Sequence, residues 1–420
     1  MHRTPASDSR FPDGFLWGAA TAAHQVEGDN ADSDWWEWEQ AGHGAQPSLL
    51  AADSWNRWAD DIAVAKELGL GVVRISVEWA RIEPRRGAWD YKALEHYADI
   101  LRGARSAGLK TMVVLWHFTN PAWFAAKGGW TSVGAPDLFG VYAGVVAEYL
   151  CDYVDFWATI NEANTYALQG YIEGVWPPGR RRDVLGALRV YRGLADGHRL
   201  ARAAIKQACG NETGVGLTHV FAWPHAASDG GALSAPMQIF WDWLANDLFM
   251  DRVQGVTDWI GVQYYHDSPC RTFGVADDDG HTPRTDTGWR IVPEGLYRVV
   301  MRAWRRYQLP IYITENGLAD AADAQRERFL VDHLRWLRKA ISEGADVRGY
   351  LHWSLIDNFE WAAGFGPRFG LAEVDYRTFA RRIRPSARAY AAIVAANEVA
   401  ADAAAGMTYA DGTGQLGPEE

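Results

Sequence analysis

The chain has 420 residues, 48% of them apolar, and a formal net charge of -12. That length allows about two or three ordinary domains or one large α/β barrel, and the apolar share is ample for a sizeable core. The negative balance argues against nucleic-acid and anionic-membrane partners.

The opening stretch, MHRTPASDSRFPDGF, has no apolar run of the kind that directs secretion, and no later run is long enough to span a bilayer. Strand-like runs then alternate with helical stretches. Strands are predicted at 15–20, 72–79, 111–116 and 155–161, then at 214–220, 258–265, 311–314 and 347–356. Between them, Leu188, Tyr191, Leu194, Ala201 and Ile205 keep a helical period over 183–208. Leu330, Leu334, Leu337 and Ile341 do so over 323–341. Eight strands, each followed by a helix, predict a single (β/α)8 TIM barrel over residues 1–400. A doubly wound sheet is the alternative, but no glycine-rich nucleotide fingerprint follows the first strand.

No linker rich in Pro, Gly or Ser divides the chain. Residues 266–292 read as a long loop, while the arginine run 180–182 and the aspartate run 277–279 read as solvated loop faces. Residues 401–420 lose all periodicity and are expected to form a mobile extension. Cys151, Cys209 and Cys270 lie far apart without metal-type spacing, so they are expected to be reduced thiols in a cytoplasmic protein. The 22 tryptophans exceed what a core alone requires and suit a wet cleft that stacks flat ligands.

In such barrels the chemistry sits at the C-terminal ends of the strands. The seventh strand, in IYITENGL, runs directly into Glu315. The fourth, in ATINEAN, runs into Glu162. Glu-Asn-Gly after one strand is ordinary turn chemistry. Two carboxylates at the ends of two barrel strands instead suggest glycosidic-bond hydrolysis. Other strand ends carry groups that suit a sugar: Gln25, Arg74, His117, Asn161 and Tyr265, then Trp353, Glu360 and Trp361 in WSLIDNFEW. Amides and carboxylates match vicinal hydroxyls, and an aromatic face matches a pyranose C–H face.

With these motifs in place, the sequence resembles glycoside hydrolase family 1, the β-glucosidase family. The likeness runs through FPDGFLWGAATAAHQVEG, RISVEWARIEP, ATINEAN, ITENG, WSLIDNFEW and RFGLAEVDY. It implies a retaining mechanism with Glu162 as general acid/base and Glu315 as nucleophile, and no metal or organic cofactor. It implies that Arg74 and Tyr265 support the nucleophile and lower its pKa, and that Asn161 meets the 2-hydroxyl. Gln25, His117, Glu360 and Trp361 would then bind the other hydroxyls over Trp353 as platform, with Tyr265 also lining the sugar site. The chain departs from the family pattern at Ala163, where proline is usual, at Asn164, and at Gln263, where asparagine is usual.

The resemblance makes a β-glucosidase the expected activity, with β-galactosides and β-fucosides as further substrates. Small β-glycosides or cello-oligosaccharides would be the partners, with neither nucleic acid nor membrane. A transglycosidase or a 6-phospho-β-glycosidase on the same scaffold stays open. A metallohydrolase using His117, His219, His266 and His352 is disfavoured, because these histidines do not fall at metal-ligand spacing.

Overall fold

The computed structural model describes residues 9–226, 234–270 and 281–400. Eight parallel strands close into a barrel: β1 (Leu16–Ala20), β2 (Val72–Ser76), β3 (Lys110–Trp116) and β4 (Phe156–Asn161), followed by β5 (Val215–Val220), β6 (Ile260–Gln263), β7 (Ile311–Glu315) and β8 (Val347–Trp353). Each pairs with the next in the chain, and β8 closes onto β1 through Ala20 opposite Trp353. All eight overlap the predicted runs. Three stop short of the predicted ends; at β2 the cause is local, since Glu78 accepts from the Ala80 N–H and starts a helical turn at Trp79.

Val72, Met112, Val114, Ala158, Tyr312 and Leu351, all buried strand residues, form a cluster separate from the main core. One pleat beyond Val72 on the same face is Arg74, wholly buried among the strands rather than in an apolar layer. Register shifts interrupt the β4–β5 pairing between Ala158 and Asn161 and the β6–β7 pairing between Val262 and Gln263. Such irregularities re-aim side chains. Here they leave Asn161 opposite Thr218 and Gln263 opposite Glu315.

Helices follow the strands. A short one, α1 (Ala23–Val26), lies after β1. Further on come α2 (Ala135–Leu150), α3 (Val184–Cys209) and α4 (Arg326–Ser342), the last two at the positions their periodicity indicates. Asp183 caps α3 by accepting from the Gly186 N–H at 2.8 Å.

Two features differ from the sequence reading. Cys151 and Cys209 are joined by a disulfide, with Cα atoms 5.5 Å apart, where α2 and α3 end. Packing of these helices brings together thiols 58 residues apart in sequence, which no spacing rule reveals. The expectation of reduced thiols is therefore corrected for this pair. Second, two short sheets were not predicted. Trp223–Ala226 pairs in parallel with Asp267–Cys270, so part of the expected 266–292 loop is strand, and Ala372–Asp375 pairs antiparallel with Ala380–Ile383. Four-residue strands are too short to show a period. Residues 180–182 are exposed as expected, whereas the 277–279 run and the 401–420 extension lie outside the described residues. Among the described residues no helix is long and apolar enough to cross a membrane.

Candidate active site

The ITENG segment shows why a buried strand can end on a charge. Glu315, the last residue of β7, is only 4% exposed. One carboxylate oxygen accepts from Arg74 and the other from the Tyr265 hydroxyl at 2.5 Å. Asn316 has a scaffolding task. Its Nδ2 donates to the Tyr264 carbonyl at 2.7 Å and its Oδ1 accepts from the Tyr350 hydroxyl at 2.9 Å. Gly317 is required by contact: a Cβ there would lie 1.8 Å from the Trp353 carbonyl oxygen. The segment combines turn-like composition with a charged group held for chemistry.

Glu162 follows β4 directly with φ 43° and ψ 62°, a left-handed conformation unusual for a residue with a Cβ. Trp361 (φ 48°) and Phe118 (φ 74°) share that region and touch each other, ring centroids 5.3 Å apart. Conformations of this kind cost on the order of 1–3 kcal/mol each and concentrate at functional sites.

The sugar-type residues form one group. Gln25 is fully buried; its Nε2 donates to the Phe359 carbonyl at 2.8 Å and lies 3.3 Å from Glu360 Oε2, while its Oε1 meets no hydrogen-bond partner. His117 lies 3.3 Å from Asn161 Nδ2 through its Nε2, and its Nδ1 is likewise buried without a partner. The His117 ring stacks near-parallel with both Trp353 (6.2 Å) and Trp361 (6.1 Å). Buried polar atoms that face no protein partner are what a site must offer a polar ligand. Arg74 and Tyr265 join it through Glu315, and Glu162 joins it through its charge interaction with Glu315.

Glu162 is pushed up to about 8, first by burial and then by the charge of Glu315. Burial also raises Glu315, against the pull of Arg74 and Tyr265. This corrects the expectation of a lowered pKa: desolvation of a buried carboxylate outweighs its two donors. The asymmetry survives, because only Glu315 has a guanidinium and a phenol on its oxygens. Tyr265 is raised well above the ordinary phenol value by burial and by Glu315, and so stays a donor. Burial and Arg74 keep His117 far below the usual imidazole range, hence neutral. Glu360 rises to about 8, from burial and from Glu315.

Sequence reasoning did not identify Thr218, whose hydroxyl donates to Asn161 Oδ1 at 2.6 Å, nor the role of Gln263, which donates to the same atom at 2.9 Å. A threonine inside a strand gives no sequence signal. Gln263 did, as a departure from the usual residue. Among the described residues, no three His, Cys, Asp or Glu side chains group as a metal site, and His219 and His352 are buried apart from the carboxylates.

A closed (β/α)8 barrel with two coupled, buried carboxylates at its strand ends is the architecture of barrel glycosidases. The comparisons agree. The Glycosyl hydrolase family 1 model matches residues 7–257 and 245–399. The chain is 31% identical to β-glucosidase A of Thermotoga maritima, over 92% of this chain and 98% of that protein. It is 30% identical to a β-galactosidase of Sulfolobus acidocaldarius, over 93% and 96%. The solved β-glycosidase from Pyrococcus horikoshii superposes with a TM-score of 0.87 at 36% identity, covering 94% of this chain and 97% of that one. The chain belongs to glycosyl hydrolase family 1, and its activity class is that of a β-glycosidase.

Proposed function

We propose that the protein is a retaining β-glucosidase that releases non-reducing terminal β-D-glucosyl units and also accepts β-galactosyl and β-fucosyl units. The observation that supports this reading is the unequal environment of two coupled carboxylates: Arg74 and Tyr265 both donate to Glu315, while burial keeps Glu162 protonated. Glu162, as the acid, gives its proton to the glycosidic oxygen. Glu315 attacks the anomeric carbon as the leaving group departs, forming a glycosyl ester. Its negative charge then disappears, the repulsion that raised Glu162 is relieved, and Glu162, having given up its proton, is stable as a carboxylate. As a carboxylate it takes a proton from water, which attacks the anomeric carbon, displaces Glu315 as a carboxylate and restores the β configuration. Asn161 would meet the 2-hydroxyl, and the unpartnered Gln25 Oε1 would accept from a hydroxyl on the sugar's far side, beside Glu360.

Proton NMR during hydrolysis of p-nitrophenyl β-glucoside tests the stereochemistry. The first sugar to accumulate should be the β anomer, and α-glucose appearing first would exclude the double displacement. The mechanism also requires the two carboxyl groups to stand about 5–5.5 Å apart.

An unmodified sugar is preferred over its 6-phosphate. Glu360 receives Gln25 and sits beside Trp361, so a dianionic phosphate would meet a buried carboxyl group in place of a cation. Arg368, the cation nearest in sequence, is already paired with Asp357 at 3.3 Å. We expect kcat/KM for p-nitrophenyl β-glucoside to exceed that for its 6-phosphate by roughly a hundredfold or more, since unpaired buried charge costs several kcal/mol. Equal values would favour the phospho-glycosidase reading. A cytoplasmic site of action belongs to this proposal too, although the Cys151–Cys209 bond removes the reduced-thiol argument for it.

A further inference from the structure

Gln263 stands where asparagine is usual in the family, and the extra methylene has a use here. The side chain is fully buried at the end of β6, and its Nε2 lies 2.9 Å from Asn161 Oδ1. The same oxygen accepts from Arg74 Nη2 at 2.6 Å and from Thr218 Oγ1 at 2.6 Å. An amide oxygen has two lone pairs, so three donors from β2, β5 and β6 saturate it. The Asn161 oxygen is thereby held on the protein side, and its NH2 must face the other way. One of those hydrogens points to His117 Nε2 at 3.3 Å, and the second is left for a ligand. The Gln263 side chain makes no hydrogen bond through its own Oε1, which has no partner.

We infer that Gln263 is a positioning residue, with Thr218 as its counterpart, that sets the orientation of the Asn161 amide and through it the recognition of the sugar's 2-hydroxyl. This rests on the reading above, in which Asn161 meets that hydroxyl. The 2-hydroxyl bond strengthens as the transition state forms. A misaligned amide therefore lowers kcat more than it raises KM. Arg74 couples the two halves of the site, since one guanidinium nitrogen serves Glu315 and the other serves Asn161. With the Gln263 donor gone, the Asn161 oxygen keeps only partners that are shared: Arg74 with Glu315, and Thr218 with Arg74.

The test compares p-nitrophenyl β-glucoside with its 2-deoxy analogue. Gln263→Leu keeps the volume and removes the donor. Its kcat/KM on the glucoside should fall about tenfold, the size of one lost buried hydrogen bond, and on the 2-deoxy substrate by less than about twofold. Gln263→Asn, one methylene short, should fall between Leu and the parent. Asn161→Ala is the reference and should lose most of the preference for the 2-hydroxyl. Adding Gln263→Leu to it should cost no further preference. Equal losses on both substrates would make Gln263 merely structural and overturn the inference, as would no loss at all. If Gln263→Leu fails to fold, Gln263→Met is measured by the same criteria. Should Asn161→Ala lose the preference while Gln263→Leu and Gln263→Met keep it, the inference alone falls. Should Asn161→Ala keep it, the reading of Asn161 falls and takes the inference with it.

Discussion

Glu315→Gly should abolish hydrolysis of p-nitrophenyl β-glucoside, with kcat reduced on the order of 10⁴-fold or more. The size follows from the site: among the described residues no other carboxylate ends a strand beside both Arg74 and Tyr265 to act as nucleophile. The folded state should survive at a cost in stability, because the buried Arg74 loses its ion-pair partner. Removing Glu315 deletes a buried carboxylate whose pKa burial has raised, and Arg74 keeps Asn161 and Thr218 as partners. The variant then offers a stronger test. α-Glucosyl fluoride has the configuration of the missing ester and fits the space vacated by the side chain. Glu162 remains to activate an acceptor hydroxyl, so the variant should transfer glucose to p-nitrophenyl glucoside although it cannot hydrolyse the product. Hydrolysis persisting near the parental rate in contaminant-free enzyme would remove Glu315 from the nucleophile's role.

The barrel was legible because its strands are short, β-branched and evenly spaced between long amphipathic helices. Val73 and Ile75 of β2 and Leu330, Leu334 and Leu337 of α4 each repeat at the period of their element. The four-residue pairs at 223–226 and 267–270 had no such repeat to read. The Cys151–Cys209 bond depends on how α2 and α3 pack, which is a tertiary fact.

At the site, residue types and their places at strand ends were legible, but not their electrostatics. Arg74 and Tyr265 were identified as partners of Glu315, yet the net direction of its pKa depends on burial, which adjacent residues do not reveal. Thr218 was invisible for a related reason. Its hydroxyl matters only because a shifted register sets β5 opposite Asn161. Gln263 was visible only as an exception to a pattern. Its meaning required the coordinates of three neighbouring strands.

Replacing Glu162 with alanine should have an effect that depends on the leaving group. A dinitrophenolate departs without a proton, so Glu162→Ala should still form the glycosyl ester and accumulate it. The alkoxide from cellobiose needs the proton, and its loss should be larger by about a hundredfold or more. Azide, small enough for the space left by the side chain, should attack the trapped ester and release β-glucosyl azide without needing a base. The pH profile supplies an independent sign. Glu162 acts as acid only when protonated, and burial with the Glu315 charge places its pKa at about 8. Activity on cellobiose should therefore hold below that value and decline as the pH rises through it. The acid limb should come from Glu315, which must be ionised to attack and is itself raised above an ordinary glutamate by burial. Because the two carboxylates interact, these limbs belong to the pair. Removing Glu162 then deletes the alkaline limb and leaves the acid limb in place, because Glu162 is protonated, and so uncharged, where Glu315 ionises. On cellobiose, the residual activity of Glu162→Ala should lack the alkaline limb and keep the acid limb of Glu315. Equal losses on cellobiose and the aryl glucoside, or an unchanged alkaline limb, would assign the acid to another group.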